Sequence, residues 1–234
     1  MNEYKLSERL LKVAQFVPKS TKVADIGSDH AYLPSYLTVR DTTLLAIAGE
    51  INEGPYQSAK KQIERLGLSN RIQVRKGSGL AVIEDSDQVD VITIAGMGGA
   101  LITSILEEGK GKLGHVKRLI LQPNVGAIFI RDWLLANHWS LIDEVIIEED
   151  EKIYEVLVAE KGHDLIYDEN RDAKLLLGPF LMKEASLTFI KKWTNEQKHW
   201  TQILHRLEQA NESEDNQKKK AELKKKIQMV QEVI

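Results

Sequence analysis

The fold of this chain is indicated most clearly by one stretch of its sequence, Val23-Ala24-Asp25-Ile26-Gly27-Ser28-Asp29-His30-Ala31-Tyr32-Leu33-Pro34. An apolar run ends in an acid and a glycine, and a helix-like segment follows. Gly27 permits a backbone angle or a close approach that a Cβ atom would obstruct. Ligands of open α/β sheets bind at the carboxyl ends of the strands. The stretch therefore predicts a buried strand, a tight turn with carboxylates at its mouth, and a candidate binding site at that turn.

Strand-like and helix-like segments alternate from this turn onwards. Apolar residues at helical spacing before Pro18 predict a first helix that covers the sheet. The next predicted strands are 21–26, 43–48, 71–75, 89–95 and 117–121, and the predicted helices between and after them are 33–40, 52–66, 101–107 and 127–137. Asn52 is expected to cap the second of these helices. The alternation predicts a parallel sheet with helices on both of its faces.

Two further strand-like runs, 140–147 and 153–160, are separated by only five residues. A connection this short cannot make a parallel crossover, so the two runs are expected to form an antiparallel hairpin at one edge of the sheet. Five parallel strands closed by such a hairpin are similar to the Rossmann-like sheet of class I methyltransferases, which use S-adenosylmethionine. The predicted fold class is therefore α/β, with a mostly parallel sheet.

The remaining chain changes character after Gly178-Pro179. One apolar stripe at heptad-like spacing comprises Phe189, Trp193, Trp200, Ile203, Leu207 and Ala210, and a second comprises Leu223, Ile227, Val230 and Ile234. With the polar turn 211–216 between them, the stripes predict an antiparallel helical hairpin of the coiled-coil type. We expect two domains, a methyltransferase domain of residues 1–162 and a helical domain of residues 163–234.

Composition excludes several classes of protein. The 234 residues contain no cysteine, which excludes disulfides, thiol catalysis and cysteine-ligated zinc, and we expect no metal. No apolar run reaches the roughly 18 residues needed to span a bilayer, and the beginning of the chain lacks the pattern of a signal peptide. We therefore expect a cytoplasmic protein that does not associate with membranes. The net charge is −3, but residues 171–234 carry 13 Lys and Arg against 9 Asp and Glu.

Acidic residues end the first two predicted strands. Asp25-x-Gly27-x-Asp29-x-Ala31 lacks the further glycines that a dinucleotide pyrophosphate requires. S-adenosylmethionine has no pyrophosphate and carries an ammonium and a sulfonium, so acids at this turn favour it. Glu50 can accept hydrogen bonds from vicinal ribose hydroxyls; the alternative is a solvated carboxylate at a helix start, where the helix dipole also favours it.

Gln122-Pro123-Asn124 follows the fifth predicted strand, where adenine amino-methyltransferases carry a partly similar motif. Amide side chains can hydrogen-bond the Watson–Crick edge of adenine in both directions. Adenine N1 already offers a lone pair, so positioning can dominate over base catalysis. The alternative is that the three residues form only a strand-ending turn.

Segments 24–34, 48–50, 93–99 and 119–124 together resemble the bacterial tRNA (adenine(22)-N1)-methyltransferases, the TrmK family. The resemblance extends over the whole chain, including the helical hairpin, and is most distinctive over 94–101. It implies S-adenosylmethionine as the methyl donor and N1 of adenine 22 in tRNA as the acceptor. It also implies that the helical hairpin helps to hold the tRNA.

The residue patterns and the resemblance together give expected roles to particular residues. The expected donor-binding residues are Asp25, Gly27, Ser28, Asp29, His30, Glu50, Ile51, Gly77, Ser78, Gly79, Ala95, Gly96 and Met97. Gln122, Pro123 and Asn124 are expected to orient the acceptor adenine, and Tyr32, Lys218, Lys219, Lys224 and Lys225 to contact tRNA. Tyr32 is equally plausible as a wall of the donor pocket, and His30 is expected to shape that pocket rather than act as a base.

Two other functions remain open from the sequence. The first is a methyltransferase with another substrate, either a small molecule, with the helical hairpin used for dimerisation, or another RNA. The second is a non-catalytic RNA-binding module, which would use the same fold without methyl transfer. We expect a monomer or a weak dimer.

Overall fold

The computed structural model describes residues 2–163, 166–209 and 213–234. Its contacts divide the chain into two compact units, Met1–Asp164 and Leu165–Ile234.

The first unit is built around one seven-stranded sheet. Its strands are β1 (Lys22–Ile26), β2 (Leu45–Glu50), β3 (Ile72–Lys76), β4 (Val91–Gly98), β5 (Arg118–Val125), β6 (Trp139–Glu149) and β7 (Lys152–Lys161). They lie in the order β3-β2-β1-β4-β5-β7-β6. Strands β1 to β5 are parallel, whereas β7 pairs antiparallel with both β5 and β6. The predicted fold class, including the antiparallel hairpin at the edge, is confirmed.

Five helices and three short 3-10 helices connect these strands. The helices are α1 (Glu8–Gln15), α2 (Tyr32–Arg40), α3 (Glu53–Arg65), α4 (Gly99–Glu108) and α5 (Ala127–Ala136), and the 3-10 helices are Gly79–Val82, Asp85–Asp87 and Lys110–Leu113. Ser7 caps α1, because its Oγ accepts a hydrogen bond from the Leu10 N–H at 3.3 Å. Asn52 occupies the N-cap position of α3, but its side chain makes no capping hydrogen bond. The expectation that the Asn52 side chain caps this helix is therefore wrong.

The centre of the sheet is apolar on both faces. Val23, Ala24, Ile47, Ile92 and Ile94 are all fully buried, as expected of parallel strands that helices cover on both sides. The strand order reverses between β1 and β4. In open α/β sheets such a switch point opens a crevice at the carboxyl ends of the two strands.

An ion cluster that the sequence did not indicate lies under the edge hairpin. The guanidinium of Arg131, on α5, donates to Glu144 on β6 at 2.6 Å and also pairs with Glu155 on β7. All three side chains are almost completely buried. Arg131 thus connects α5 to both strands of the hairpin through ion pairs.

The second unit consists of four helices, α6 (Arg171–Leu177), α7 (Pro179–Glu184), α8 (Leu187–Gln209) and α9 (Glu214–Gln231). Helices α8 and α9 pack against each other as the predicted hairpin, and Phe189 and Trp193 are buried. The polar turn was predicted to extend to residue 216, but α9 already begins at Glu214. Ser213 caps this helix, because its Oγ accepts a hydrogen bond from the Asn216 N–H at 3.1 Å. Ala210, Asn211 and Glu212 lie outside the described residues. Neither α6 nor α7 was predicted.

Candidate active site

A cleft of about 230 Å³ opens at the carboxyl ends of β1 and β4. Its lining residues are Arg9, Leu10, Asp25, Gly27, Ser28, Asp29, Tyr32, Leu33, Ala95, Gly96 and Met97. Most of the residues predicted from the first turn and from the end of β4 therefore share one cavity, as the reversal of strand order requires. Tyr32 is also among the lining residues.

The turn after β1 has an unusual backbone. Gly27 has a φ of +72°, and the three consecutive residues Asp29, His30 and Ala31 also have positive φ angles. Non-glycine residues rarely adopt this region, so the turn needs support from its surroundings. The Gly27 and Ser28 N–H groups both donate to the Gly49 carbonyl, at 2.9 and 3.1 Å, which anchors the turn to β2.

Gly27 also allows the end of β4 to come close. A Cβ atom at this position would lie 2.2 Å from Met97 Cε. An added Cβ would displace the flexible end of the Met97 side chain, and the positive φ independently favours glycine at this position.

Asp25 lies at the bottom of the cleft and is buried. The Ser28 hydroxyl donates to its Oδ2 and the Thr93 hydroxyl to its Oδ1, each at 2.6 Å. Burial raises the pKa of Asp25 to about 6, because removal from water disfavours the carboxylate. The two hydroxyl hydrogen bonds oppose this shift, and the nearby charge of Glu50 adds to it.

Glu50 stands at the end of β2, next to the same turn, and only 6% of its surface is exposed. Its Oε1 accepts a hydrogen bond from the Asp29 N–H at 2.5 Å. Burial raises the pKa of Glu50, and the hydrogen bond from Asp29 opposes that shift. The Glu50 carbonyl accepts from the Gly77 N–H at 2.9 Å, which brings the end of β3 beside it.

Besides Glu50, five of the predicted donor-binding residues do not line the cleft. The ring of His30 is 5.4 Å from that of Tyr32, and its Nε2 is 3.6 Å from Asp29 Oδ1. The remaining four, which lie after β2 and β3, are Ile51, Gly77, Ser78 and Gly79. Ile51 and Ser78 are exposed. These four residues lie outside the cleft, on the side of Glu50.

Gln122 and Asn124 have different surroundings, although both belong to β5. This strand continues to Val125, whereas the prediction ended it at residue 121. Gln122 is fully buried: its Oε1 accepts from the Gly96 N–H at 2.9 Å and from Arg9, and its Nε2 donates to the Pro123 carbonyl at 2.8 Å. Asn124 is exposed, and its Nδ2 donates to the Gly96 carbonyl at 2.7 Å.

Arg9 is a site residue that sequence reasoning missed. It lies on α1, which the sequence predicted only as a covering helix, yet it lines the cleft and donates to Gln122. Its guanidinium carbon is 5.4 Å from the centre of the Tyr154 ring. Nothing in the spacing of the first helix indicated that this arginine reaches the strand ends.

Three of the four predicted tRNA-binding lysines have carboxylate partners within the second unit. Lys218 pairs with Glu214 at 2.9 Å, Lys224 with Glu208 at 3.9 Å, and Lys225 with Asp172. Lys219 is exposed and has no ion pair with any residue that the structure describes. Every side chain in these pairs is more than half exposed except that of Glu208, at 48%, so the pairs contribute little to stability.

The fold and the cleft together define the class of protein. An acid-bearing turn follows β1, a second acid ends β2, and glycines end β4, on a sheet closed by an antiparallel hairpin. The acids suit the ammonium and the sulfonium of S-adenosylmethionine, and the turn lacks the further glycines of a pyrophosphate site. These features define a class I methyltransferase.

Comparison with known proteins gives the family. The model of the family TrmK, tRNA (adenine(22)-N(1))-methyltransferase, matches residues 23–232. The tRNA (adenine(22)-N(1))-methyltransferase of Bacillus subtilis is 52% identical over 236 residues, which cover 100% of this chain and 99% of the relative. This chain belongs to the TrmK family.

Solved structures agree with this family. The crystal structure of B. subtilis TrmK superposes with a TM-score of 0.93, at 52% identity, over 99% of each chain. Streptococcus pneumoniae Sp1610, solved in complex with S-adenosyl-L-methionine, gives a TM-score of 0.86 at 45% identity, over 98% of this chain and 99% of that one.

Proposed function

We propose that this chain transfers a methyl group from S-adenosylmethionine to N1 of adenine 22 in tRNA. Membership of the TrmK family supports the reaction. The observation that carries it is the meeting of four strand ends: Asp25 and Gly96 line one cleft, Glu50 accepts a hydrogen bond from the turn after β1, and Asn124 is bonded to Gly96. A donor and an adenine placed there would be adjacent.

The acidic side chains of the site bind the donor. Glu50 accepts hydrogen bonds from the vicinal ribose hydroxyls, and Asp25 and Asp29 complement the positive charges of the methionine part. The adenine of the donor is bordered by Ile51, Gly77, Ser78 and Gly79. His30 shapes the turn after β1. When bound, S-adenosylmethionine supplies a methyl group that is activated by the sulfonium.

Asn124, rather than Gln122, presents its amide to the acceptor. Both ends of the Gln122 amide are engaged inside the protein, whereas Asn124 Oδ1 has no hydrogen-bond donor in the described part of the chain. This oxygen can accept from the exocyclic amine of adenine. Gln122 and Pro123 hold the strand end in place. The lone pair of adenine N1 would form a bond to the methyl carbon as the bond from that carbon to sulfur breaks, leaving S-adenosylhomocysteine, so these residues act by positioning.

The second unit contacts the tRNA in this proposal. Adenine N1 faces its pairing partner in folded RNA, so the base must be extruded or locally unpaired at a cost of a few kcal/mol. Lysines recover affinity through phosphate contacts and counterion release. Residues 171–234, with their positive balance, supply them, and Lys218, Lys219, Lys224 and Lys225 are the proposed contacts.

The proposed setting is the cytoplasm, with a monomer or a weak dimer as the working form. In the part of the chain that the structure describes, no helix is long and apolar enough to cross a membrane. The same residues contain no group of three or more His, Asp or Glu placed to hold a metal ion.

One experiment tests donor, acceptor and atom together. Unmodified tRNA is incubated with the protein and methyl-labelled S-adenosylmethionine, and the labelled nucleoside is identified and mapped. We expect 1-methyladenosine at position 22 and no label in a tRNA with guanine at that position. Absence of transfer to any tRNA would contradict the proposal and favour a non-catalytic RNA-binding module or a methyltransferase that acts on a small molecule.

A further inference from the structure

We propose that Arg9 binds the α-carboxylate of the methyl donor. This inference rests on the proposed function, because it concerns the donor of that reaction. It assigns a donor-binding role to α1, which lies before the segment that the family model matches.

Charge in the cleft indicates this role. The acids Asp25 and Asp29 line it, and Glu50 lies beside it, so the ammonium and the sulfonium have partners. The donor also carries a carboxylate, which these acids repel. Arg9 is the only Lys or Arg among the described residues that line the cleft.

Backbone donors of the turn are already engaged. The N–H groups of Gly27 and Ser28 donate to the Gly49 carbonyl, and that of Asp29 donates to Glu50. The Gly96 N–H, on the opposite wall, donates to Gln122. In many anion sites such a turn supplies the hydrogen bonds, but here these four amides have other acceptors.

The guanidinium of Arg9 still has donors to offer. Its Nη1 donates to Gln122, and its other N–H groups have no acceptor in the described part of the chain. It lies next to the wall of the cleft, since a Cβ atom on Gly96 would be 3.2 Å from Nη1. The planar fork of arginine matches a carboxylate with two parallel hydrogen bonds.

Contacts on two sides position the Arg9 guanidinium before the donor binds. Gln122 fixes one edge, and the ring of Tyr154 lies 5.4 Å from its central carbon. A side chain positioned before binding loses less conformational freedom when the ligand arrives. Gln122 also bonds to Gly96, so the same network connects the donor carboxylate to the strand end that carries Asn124.

The test compares two ligands that differ only in the carboxylate, S-adenosylhomocysteine and its decarboxylated analogue. Their affinities are measured by calorimetry for the full-length protein and for R9M, R9K and K19M. We expect R9M to bind S-adenosylhomocysteine about 10- to 100-fold more weakly, as for the loss of a charge-assisted hydrogen bond. Its affinity for the decarboxylated analogue should equal that of the wild type.

The variants separate the possible causes. K19M removes a positive charge from an exposed side chain beyond α1 and should leave both affinities unchanged. R9K keeps the charge without the fork and should lie between wild type and R9M. An equal loss for both ligands in R9M, or no loss for either, would overturn the inference. Failure of the wild-type protein to bind S-adenosylhomocysteine or to methylate tRNA would instead count against the proposed function.

Discussion

The Asn124 Nδ2 atom donates a hydrogen bond to the Gly96 carbonyl at 2.7 Å. Gly96 lines the cleft between β1 and β4, and Asn124 lies on the neighbouring strand. The proposed acceptor-binding amide is therefore positioned by the backbone of the proposed donor site. Such a direct connection sets the distance between the two substrates without a mobile element between them.

Replacing Asn124 with alanine should lower kcat by about 10- to 100-fold, because a misplaced acceptor loses the near-attack geometry. The affinity for S-adenosylhomocysteine should change little. N137A is a matched control, since Asn137 also donates from Nδ2 to a backbone carbonyl, that of Trp133 at 2.8 Å, at the end of α5. Single-turnover methylation and calorimetry measure the two effects. Wild-type turnover in N124A would remove this residue from the site.

Glu50 and Glu53 provide a second matched pair. Glu50 is buried beside the turn, whereas Glu53 is exposed and pairs with Lys76 at 2.6 Å. E50Q should weaken S-adenosylhomocysteine binding by about 10- to 100-fold, because hydrogen bonds to a charged acceptor contribute about 1.5–3 kcal/mol. E53Q should bind normally. Equal affinities for the two variants in a titration would contradict the ribose-binding role of Glu50.

Gly27 and Gly67 separate backbone strain from obstruction of the cleft. Both have positive φ, of +72° and +65°, but a Cβ atom on Gly67 would meet nothing within 4 Å. Alanine should cost about 1–2 kcal/mol of unfolding free energy at either position. Only G27A should also lose donor affinity, because its methyl group displaces Met97 Cε, and adding M97A should recover part of that affinity. Normal donor binding by G27A would show that the cleft tolerates the displaced side chain.

The strands of the sheet could be predicted because their local pattern agrees with their final surroundings. Residues such as Val23 and Ile92 belong to apolar runs that the structure buries on both faces. The acids at the strand ends followed from the same pattern, because the carboxyl ends of parallel strands share one edge.

The ends of β4 and β5 were predicted too early, because glycine and proline were interpreted as terminators. The ladder continues through Met97–Pro123 and Gly98–Val125 with register shifts at both steps, so the irregular pairing accommodates these residues. Arg9 could not be predicted for another reason. Its role depends on the path of α1 across the strand ends, which is a tertiary feature without a local pattern.

Asp25 should make the stability of the protein depend on pH. Its carboxyl group has a pKa of about 6 in the folded chain, above the ordinary value of 3.8. Between these values the folded state binds more protons than the unfolded state, so the free energy of unfolding falls as pH rises. The contribution of Asp25 should be about 3 kcal/mol between about pH 4 and pH 7. Urea unfolding of wild type and D25N over this pH range measures this contribution. The same pH dependence of the free energy of unfolding in both proteins would contradict the prediction. Glu50, whose pKa is also raised, leaves a smaller fall of the same sign in D25N.

Lys219 and Lys224 test the role of the helical hairpin in tRNA binding. Lys219 is exposed without an ion pair among the described residues, and the pair of Lys224 with Glu208 is long, at 3.9 Å. Both ammonium groups are therefore available to phosphates. K219Q/K224Q should weaken tRNA binding at low salt and reduce the slope of log affinity against log salt concentration by about 1–2, since each phosphate contact releases about one counterion.

K60Q/K61Q removes the same charge from exposed positions on α3 and is the control. Affinity for S-adenosylhomocysteine should be unchanged in both variants, and an equal salt slope in wild type and K219Q/K224Q would exclude these two lysines from the tRNA interface.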